Sequence, residues 1–360
     1  MTLLRNTLWV GMLAAAHLLH GQATQNIPLQ PGAWTAEPGS ELTFETFDGR
    51  PTLLLNGKAF ANNLDFSNGV LELEVYANQK RSFAGFLFRK QKQNFEEIYM
   101  RMHKSRQVDA VQYTPTYHGE SNWQLYPEHQ AQVAFLTKGW NQLRIEVQDL
   151  SATVFVNGAQ VLQIDHLKSG DLSGGVGIWA LFGNRFANIK VTPTGEAVAK
   201  EPYPIQTPPV GMITEWELTE AKLYKEGSIN PAQFAQMPTQ RVRTETTGLL
   251  PISKYVPKPS SGNFEGNPEV YTVASTTIST NQALTQWFSF DYSDKIILYL
   301  NGAPIFYGNN AFRSKNNQFQ GHLGLGANKI PLHLKKGSNT LRCVVIDKAN
   351  GWGLIGKLLE

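Results

Sequence analysis

The stretch Val70-Leu71-Glu72-Leu73-Glu74-Val75-Tyr76 alternates strictly between apolar and polar residues. Successive side chains of a β-strand point to opposite faces, so the leucines and Val75 share one face and the glutamates share the other. Similar short runs rich in Val, Ile, Phe and Tyr, bounded by Gly, Asn and Asp, recur from residue 42 to residue 359, whereas helical periodicity is scarce. The sequence therefore predicts an all-β protein, with the strand glutamates on a solvated face.

Three strands run directly into Asn-Gly: Asn56-Gly57, Asn157-Gly158 and Asn301-Gly302. A type I′ turn requires positive φ at both central residues, and Asn-Gly tolerates this best. Each pair predicts a β-hairpin. The segment 231–236 favours one helical turn.

The composition favours two folded domains. The chain has 360 residues, of which 41% are hydrophobic and 17% charged, and one domain usually holds about 100 to 200 residues. A Pro-rich stretch with few large apolar residues predicts a linker at 193–211, between domains at 24–192 and 212–360. The formal charge of +3 is spread along the chain, which argues against a nucleic-acid partner.

Residues 1–23 have the pattern of a secretory signal peptide: Arg5, an apolar run at 8–16 and the small-x-small sequence Gly21-Gln22-Ala23. The apolar run is shorter than the roughly 20 residues of a membrane-spanning helix. We expect export to the periplasm or the extracellular space, with no integral membrane segment after cleavage. Cys343 is the only cysteine, which excludes an internal disulfide and a lipidated cysteine after the leader, and it is most simply a buried hydrophobe.

The order of motifs in residues 27–192 resembles the concanavalin A-like lectin/glucanase superfamily, most closely its 3-keto-disaccharide hydrolase type domain. The motifs that carry the resemblance are Phe66-Ser67-Asn68-Gly69-Val70-Leu71-Glu72-Leu73, Ala84-Gly85-Phe86-Leu87-Phe88-Arg89, Trp140-Asn141-Gln142-Leu143-Arg144-Ile145, Gly174-Gly175-Val176-Gly177-Ile178-Trp179 and Phe186-Ala187-Asn188-Ile189-Lys190-Val191. The resemblance implies a jelly-roll sandwich whose concave sheet presents a sugar site.

Residues 212–360 are similar to galactose-binding-like jelly rolls. The similarity lies in Phe290-Asp291-Tyr292-Ser293-Asp294-Lys295-Ile296, in the Leu300-Asn301-Gly302 hairpin and in the segment 334–341. Candidate binding residues in this domain are Tyr292, Arg313 and Trp352. Asp291 and Asp294 lack the ligand series of a calcium site and favour turn chemistry.

The richest polar stretch is Asn94-Phe95-Glu96-Glu97-Ile98-Tyr99-Met100-Arg101-Met102-His103. A two-residue period places Glu96, Ile98, Met100 and Met102 on the core face, and Glu97, Tyr99, Arg101 and His103 on the other. If Arg89 shares the second face and Tyr113 and Trp123 lie nearby, the set suits sugar hydroxyls and the apolar faces of sugar rings. The alternative is that these polar side chains form an ordinary solvent-exposed face of the sheet that binds no ligand.

These residues favour a protein that holds an oligosaccharide or polysaccharide on the N-terminal sandwich. The alternatives are a glycoside hydrolase or lyase acting on a 3-keto type sugar, and a non-catalytic surface or partner-binding module. In the enzyme, Glu97 would be the acid or base, His103 a second titrating group, and Arg89 and Arg101 would orient substrate. The glucanase signature Glu-x-Asp-x-x-Glu is absent, and the Tyr-Glu-x-Gln motif of the 3-keto branch would fall on Phe95–Tyr99 with Tyr and Gln replaced. No cofactor and no metal is expected, and protein partners stay unknown from the sequence.

Overall fold

A computed structural model describes residues 23–199, 207–259 and 266–359. The predicted signal peptide lies outside the described residues except for Ala23, so export stays a prediction, which sequencing the N-terminus of the mature protein would test. Residues 200–206 of the predicted linker also lie outside them. Among the described residues, no helix combines the length and the apolar character that membrane crossing requires.

The first fourteen strands form one curled antiparallel sheet, the N-terminal sandwich. They are β1 (Gln25–Asn26), β2 (Trp34–Ala36), β3 (Glu41–Phe47), β4 (Arg50–Phe66), β5 (Asn68–Ala77), β6 (Phe83–Gln91), β7 (Asn94–Met100), β8 (Val111–Tyr117), β9 (Glu120–Ser121), β10 (Gln130–Ala131), β11 (Gly139–Gln148), β12 (Ser151–Val156), β13 (Ala159–Ile164) and β14 (Gly174–Gly195). Short 3-10 turns cover Met102–Lys104 and Trp123–Leu125.

The long strand β14 passes from one layer of this sandwich to the other. Its first half pairs with β6 and its second half with β5, while β4 pairs with it from Gly174 to Phe186. One layer therefore runs β10-β8-β7-β6-β14 and the other β14-β5-β11-β12-β13. Apolar side chains from both layers, such as Phe86, Ile98, Leu73 and Ile145, fill a single core. Because β5 buries its leucines and leaves Glu72 half-buried on the other side, the alternation predicted for this strand is confirmed.

Strands β15–β25 form the C-terminal sandwich, in which seven strands face four. They are β15 (Glu215–Thr219), β16 (Lys222–Leu223), β17 (Thr239–Arg243), β18 (Leu249–Pro251), β19 (Val270–Thr280), β20 (Leu284–Ser293), β21 (Lys295–Leu300), β22 (Ala303–Asn309), β23 (Asn328–Leu334), β24 (Gly337–Asp347) and β25 (Gly353–Leu359). A 3-10 turn at Pro231–Gln236, as predicted, and a helix α1 (Ile252–Tyr255) complete it. Cys343 is buried in its core, as expected. The all-β, two-sandwich fold class is confirmed, whereas the exact domain limits stay a prediction.

Two of the three predicted Asn-Gly hairpins are confirmed. Asn157-Gly158 joins β12 to β13 and Asn301-Gly302 joins β21 to β22, with positive φ at all four residues. The prediction at Asn56-Gly57 is wrong, because this pair lies inside the continuous strand β4. There the glycine serves close packing, since a Cβ at this position would lie 2.3 Å from Oγ of Ser40.

The two sandwiches are joined by apolar and ionic contacts. Leu125 and Tyr126 pack with Leu249, Leu323 and Ile355 of the C-terminal sandwich in a common buried cluster. The side chain of Lys258 is only 4% exposed, and its Nζ bridges Glu120 of β9 (2.9 Å) and Asp347 of β24. Removal of either sandwich would leave buried polar groups without their partners.

Candidate functional site

The pairing of β7 between β6 and β8 sorts its side chains onto two faces. Ile98 and Met100 enter the core of the N-terminal sandwich. Glu97 and Tyr99 lie on the opposite face, as the two-residue period predicts. Both are nevertheless only 4% exposed, so this face is not a solvated one.

Residues that share Tyr99's face lie opposite one another on successive strands. In β6 the partner of Tyr99 is Gly85, and in β8 it is Gln112. Beyond Gly85, the series of cross-strand partners continues to Trp179 in β14 and Lys58 in β4. Beyond Gln112, it continues to Gln130 in β10. We call Lys58, Trp179, Tyr99, Gln112 and Gln130 the polar row. Cross-strand partners point to the same side of a sheet, so the row crosses the whole layer.

The centre of the polar row is an aromatic pair. The ring centroids of Tyr99 and Trp179 lie 5.1 Å apart, edge to face, across Gly85. A Cβ on Gly85 would lie 2.0 Å from the carbonyl oxygen of Ile98, so only glycine fits between them. The phenol of Tyr99 donates a hydrogen bond to Oε1 of Gln112 at 2.5 Å. The rings thereby have a fixed orientation.

Glu97 is the carboxyl group beside this pair. Burial raises its pKa to about 7, although the charge of Lys58 and the hydroxyl of Thr116 act in the opposite direction. Thr116 donates to Oε2 at a long 3.3 Å. A carboxyl whose pKa is raised toward neutrality suits a group that exchanges protons.

Arg101 follows the end of β7 and is paired with Asp109. Its Nη1 donates to Oδ2 of Asp109 at 2.5 Å and approaches Oε1 of Gln112 at 3.4 Å. Its guanidinium also lies 5.3 Å from the ring centre of Phe83. The buried Nε has no hydrogen-bond partner among the described residues. Arg101 therefore contacts the polar row at Gln112, and its Nε is a hydrogen-bond donor without a partner among the described residues.

His103 does not continue the strand as predicted, because β7 ends at Met100 and His103 lies in a 3-10 turn. Its Nδ1 lies 2.9 Å from the carbonyl oxygen of Ser82. Burial lowers its pKa, and the charges of Arg101 and neighbouring cations lower it further, against the effect of the Ser82 carbonyl. His103 thus lies near Arg101 and outside the strand that carries Glu97.

Arg89 and Tyr113 lie on the opposite face from Glu97, contrary to the expectation. A β-bulge between Phe88 and Gln91 interrupts the alternation and turns Arg89 inward with φ of 54°. Its guanidinium donates to the carbonyl oxygen of Ser67 at 2.8 and 3.1 Å. Tyr113 donates to Glu96 at 2.7 Å. These residues form a buried structural network, so their predicted role in substrate binding has no support in this geometry.

Trp123 lies at the boundary between the two sandwiches. It begins the 3-10 turn Trp123–Leu125, and its Nε1 donates to Oδ1 of Asn350 at 3.1 Å. Its ring meets the rings of Phe312 and His322 edge to face, at 5.8 and 5.5 Å. It is half-buried and remains a candidate binding residue.

In the C-terminal sandwich, Tyr292 and Trp352 are core residues. Trp352 donates from Nε1 to the carbonyl oxygen of Val345 at 3.1 Å. Neither is accessible to a ligand, so the structure contradicts these two candidates. Arg313 is exposed and stacks on Phe312 at 4.8 Å. Within the described ranges, no three His, Cys, Asp or Glu side chains are grouped as metal ligands.

Sequence reasoning missed four members of the polar row, namely Lys58, Trp179, Gln112 and Gln130. Trp179 stands in one of the motifs that carry the family resemblance. Its pairing with Tyr99 depends on strands more than 70 residues apart, which no local pattern reveals.

The N-terminal sandwich has a jelly-roll fold, and a family match supports a domain of the carbohydrate-binding or glycoside hydrolase-like class. Residues 32–192 match the family model of the 3-keto-alpha-glucoside-1,2-lyase-like domain, which confirms the resemblance stated for the first domain. A search of the curated proteins found no match.

Several solved structures are similar to part of the chain. The carbohydrate-binding module CBM66 from Bacillus subtilis is 14% identical, with a TM-score of 0.35, over 44% of this chain and 95% of its own. A beta-glucanase from Bacillus licheniformis is 13% identical, with a TM-score of 0.36, over 49% and 99%. A protein with a galectin-like fold from Bacillus subtilis is 9% identical, with a TM-score of 0.34, over 49% and 97%.

The raised pKa of Glu97 predicts a pH-dependent effect of Glu97→Gln on stability. An acid whose pKa is raised on folding contributes stability below its ordinary value of 4.5, and this stability is lost as the pH rises through about 7. At about pH 8 we expect the free energy of unfolding of the variant, measured by urea denaturation, to exceed that of the wild type by about 1 to 3 kcal/mol. At about pH 4 we expect this difference to disappear. Glu41→Gln, at an exposed position of β3, is the control. An equal effect of Glu97→Gln at both pH values would contradict the assignment.

Proposed function

We propose that the N-terminal sandwich binds a saccharide on the polar row. The observation that carries the proposal is the contact between Tyr99 and Trp179 beside Glu97, on the sheet face opposite the core. Aromatic rings pack on the apolar faces of sugars, while carboxylate, amide and guanidinium groups bond to hydroxyls. Trp179 is half-buried and offers the accessible ring of the pair, whereas the buried Tyr99 and Gln112 hold that ring in place. The family match supports a sugar ligand, since its description names an α-glucoside.

The contacts available to a single sugar favour weak binding. Hydrogen bonds to charged groups contribute roughly 1.5 to 3 kcal/mol each, and association costs about 4 kcal/mol or more. The free energy of three such hydrogen bonds therefore exceeds the cost of association by only a small amount. We expect dissociation constants from the high-micromolar to the millimolar range.

Trp179→Ala should weaken saccharide binding roughly tenfold, because it removes half of the aromatic pair. The matched control is Trp287→Ala, which removes an exposed tryptophan of β20 in the C-terminal sandwich. Glycan-array screening followed by titration calorimetry would measure both. Unchanged binding by Trp179→Ala, with binding intact in the control, would contradict the proposed site.

The second candidate is a lyase that acts on a 3-keto sugar, and the pKa of Glu97 near 7 favours it. A ketone at C3 acidifies the hydrogen at C2. Glu97 as base would take this proton, a C1–C2 double bond would form, and the C1–O bond would break, with the departing oxygen taking up a proton. A two-carboxyl glycosidase mechanism is disfavoured, because the adjacent Glu96 lies on the opposite face and is bound to Tyr113 and Ser169.

For the lyase we expect release of the C1 substituent from 3-keto-disaccharides to increase as the pH rises through about 7, since the base must be ionised. Glu97→Gln should abolish the release, while Glu41→Gln should retain it. Product analysis by mass spectrometry would measure both. No turnover across a panel of 3-keto-glucosides would refute the lyase without affecting the binding proposal.

A further inference from the structure

The loop at 310–327 of the C-terminal sandwich lies against the end of the polar row, and we call it the capping loop. Its two ends are held by the buried carboxylate of Asp291. Oδ1 accepts from Nδ2 of Asn310 at 2.7 Å and from Nδ2 of Asn328 at 3.2 Å, and Oδ2 accepts from the backbone N–H of Gly324 at 2.9 Å. The position of the loop on its own sandwich is therefore fixed.

The capping loop is also bonded to the N-terminal sandwich. The backbone N–H of Leu323 donates to the carbonyl oxygen of Gln124 at 2.9 Å, and Nε2 of Gln124 donates to the carbonyl oxygen of Gln320 at 2.7 Å. The side chain of Leu323 joins the buried cluster with Leu125. The 3-10 turn and the capping loop thus form one continuous surface.

His322 connects this surface to the polar row. Its Nε2 lies 3.2 Å from the amide nitrogen of Gln130, which is the cross-strand partner of Gln112. An amide nitrogen can only donate, so Nε2 of His322 accepts and the ring proton lies on Nδ1. No partner of Nδ1 is present among the described residues, which leaves one N–H to donate. Burial lowers the pKa of His322, in agreement with a neutral ring.

Trp123, Phe312 and His322 form an aromatic corner next to this donor. The indole of Trp123 contacts both of the other rings, and all three are half-buried, so part of each ring remains accessible. A donor next to exposed aromatic surface suits the hydroxyls and the apolar face of a sugar ring. The corner comes from both sandwiches, and neither sandwich alone contains it.

We propose that Trp123, Phe312 and His322 form a second sugar subsite, so that the saccharide site is shared by the two sandwiches. From β14 to β10 the polar row crosses four strand spacings, or about 19 Å at about 4.8 Å each. This length exceeds one sugar ring. The ligand is therefore an oligosaccharide or a segment of a polysaccharide, with one unit at Trp179 and another at the capping loop. The inference rests on the proposed saccharide binding.

The test uses the full-length protein and gluco-oligosaccharides from mono- to tetrasaccharide, in α- and β-linked series with 3-keto derivatives. Phe312→Ala and His322→Ala should each weaken binding of the longer sugars roughly two- to tenfold and leave monosaccharide binding unchanged. The matched control is Phe319→Ala in the same loop, because Phe319 makes its loop hydrogen bonds through the backbone and its ring contacts Lys315. Thermal unfolding would verify that each variant is folded.

Two outcomes overturn the inference and are distinguishable. If Trp179→Ala weakens binding while Phe312→Ala and His322→Ala bind every oligosaccharide like the wild type, the second subsite is refuted and the saccharide function remains. If the wild type neither binds nor converts any sugar of the panel, the proposed function fails and the inference fails with it. Loss of affinity that grows with chain length supports the shared site.

Discussion

The register of β7 between β6 and β8 is the constraint on which the candidate site depends. A shift of one residue would exchange the two faces and send Glu97 and Tyr99 into the core. The glycine opposite Tyr99 helps to fix this register, because the backbone of β7 passes where a larger side chain at Gly85 would have to lie. The same glycine allows the rings of Tyr99 and Trp179 to meet across β6. Packing and site geometry therefore have a common cause.

The neighbours Glu96 and Glu97 show how environment separates two identical side chains. Burial raises the pKa of both. Glu96 accepts bonds from Tyr113 at 2.7 Å and from the backbone and hydroxyl of Ser169 at 2.9 and 2.6 Å. Glu97 accepts a longer hydrogen bond of 3.3 Å from Thr116 and also interacts with Ser121, with the charge of Lys58 nearby. Glu96 is therefore committed to the fold through three hydrogen bonds, whereas Glu97 lies on the opposite face, beside Tyr99 of the polar row.

Sequence patterns predicted those parts of the structure that depend on the local geometry of the backbone. Alternation in β5 and β7 predicted the all-β class and the face that carries Glu97 and Tyr99. It failed at Arg89, because a bulge adds one residue, and at His103, because β7 ends at Met100. Polar and aromatic residue types could not reveal that Tyr292 and Trp352 are buried. The partners Lys58 and Trp179, and the approach of the capping loop, depend on contacts between distant segments, which no local pattern encodes.

The buried ammonium of Lys258 has a consequence for how this protein can be divided. Its two carboxylate partners, Glu120 and Asp347, belong to different sandwiches. If the two sandwiches were separated, Lys258 would lose one of these partners, and the surfaces that now pack against each other would be exposed to water. Either sandwich expressed alone would thus need a substitution that removes the unpaired charge. A substitution that removes Glu120 or Asp347 would therefore also alter the electrostatic environment of the other sandwich at Lys258.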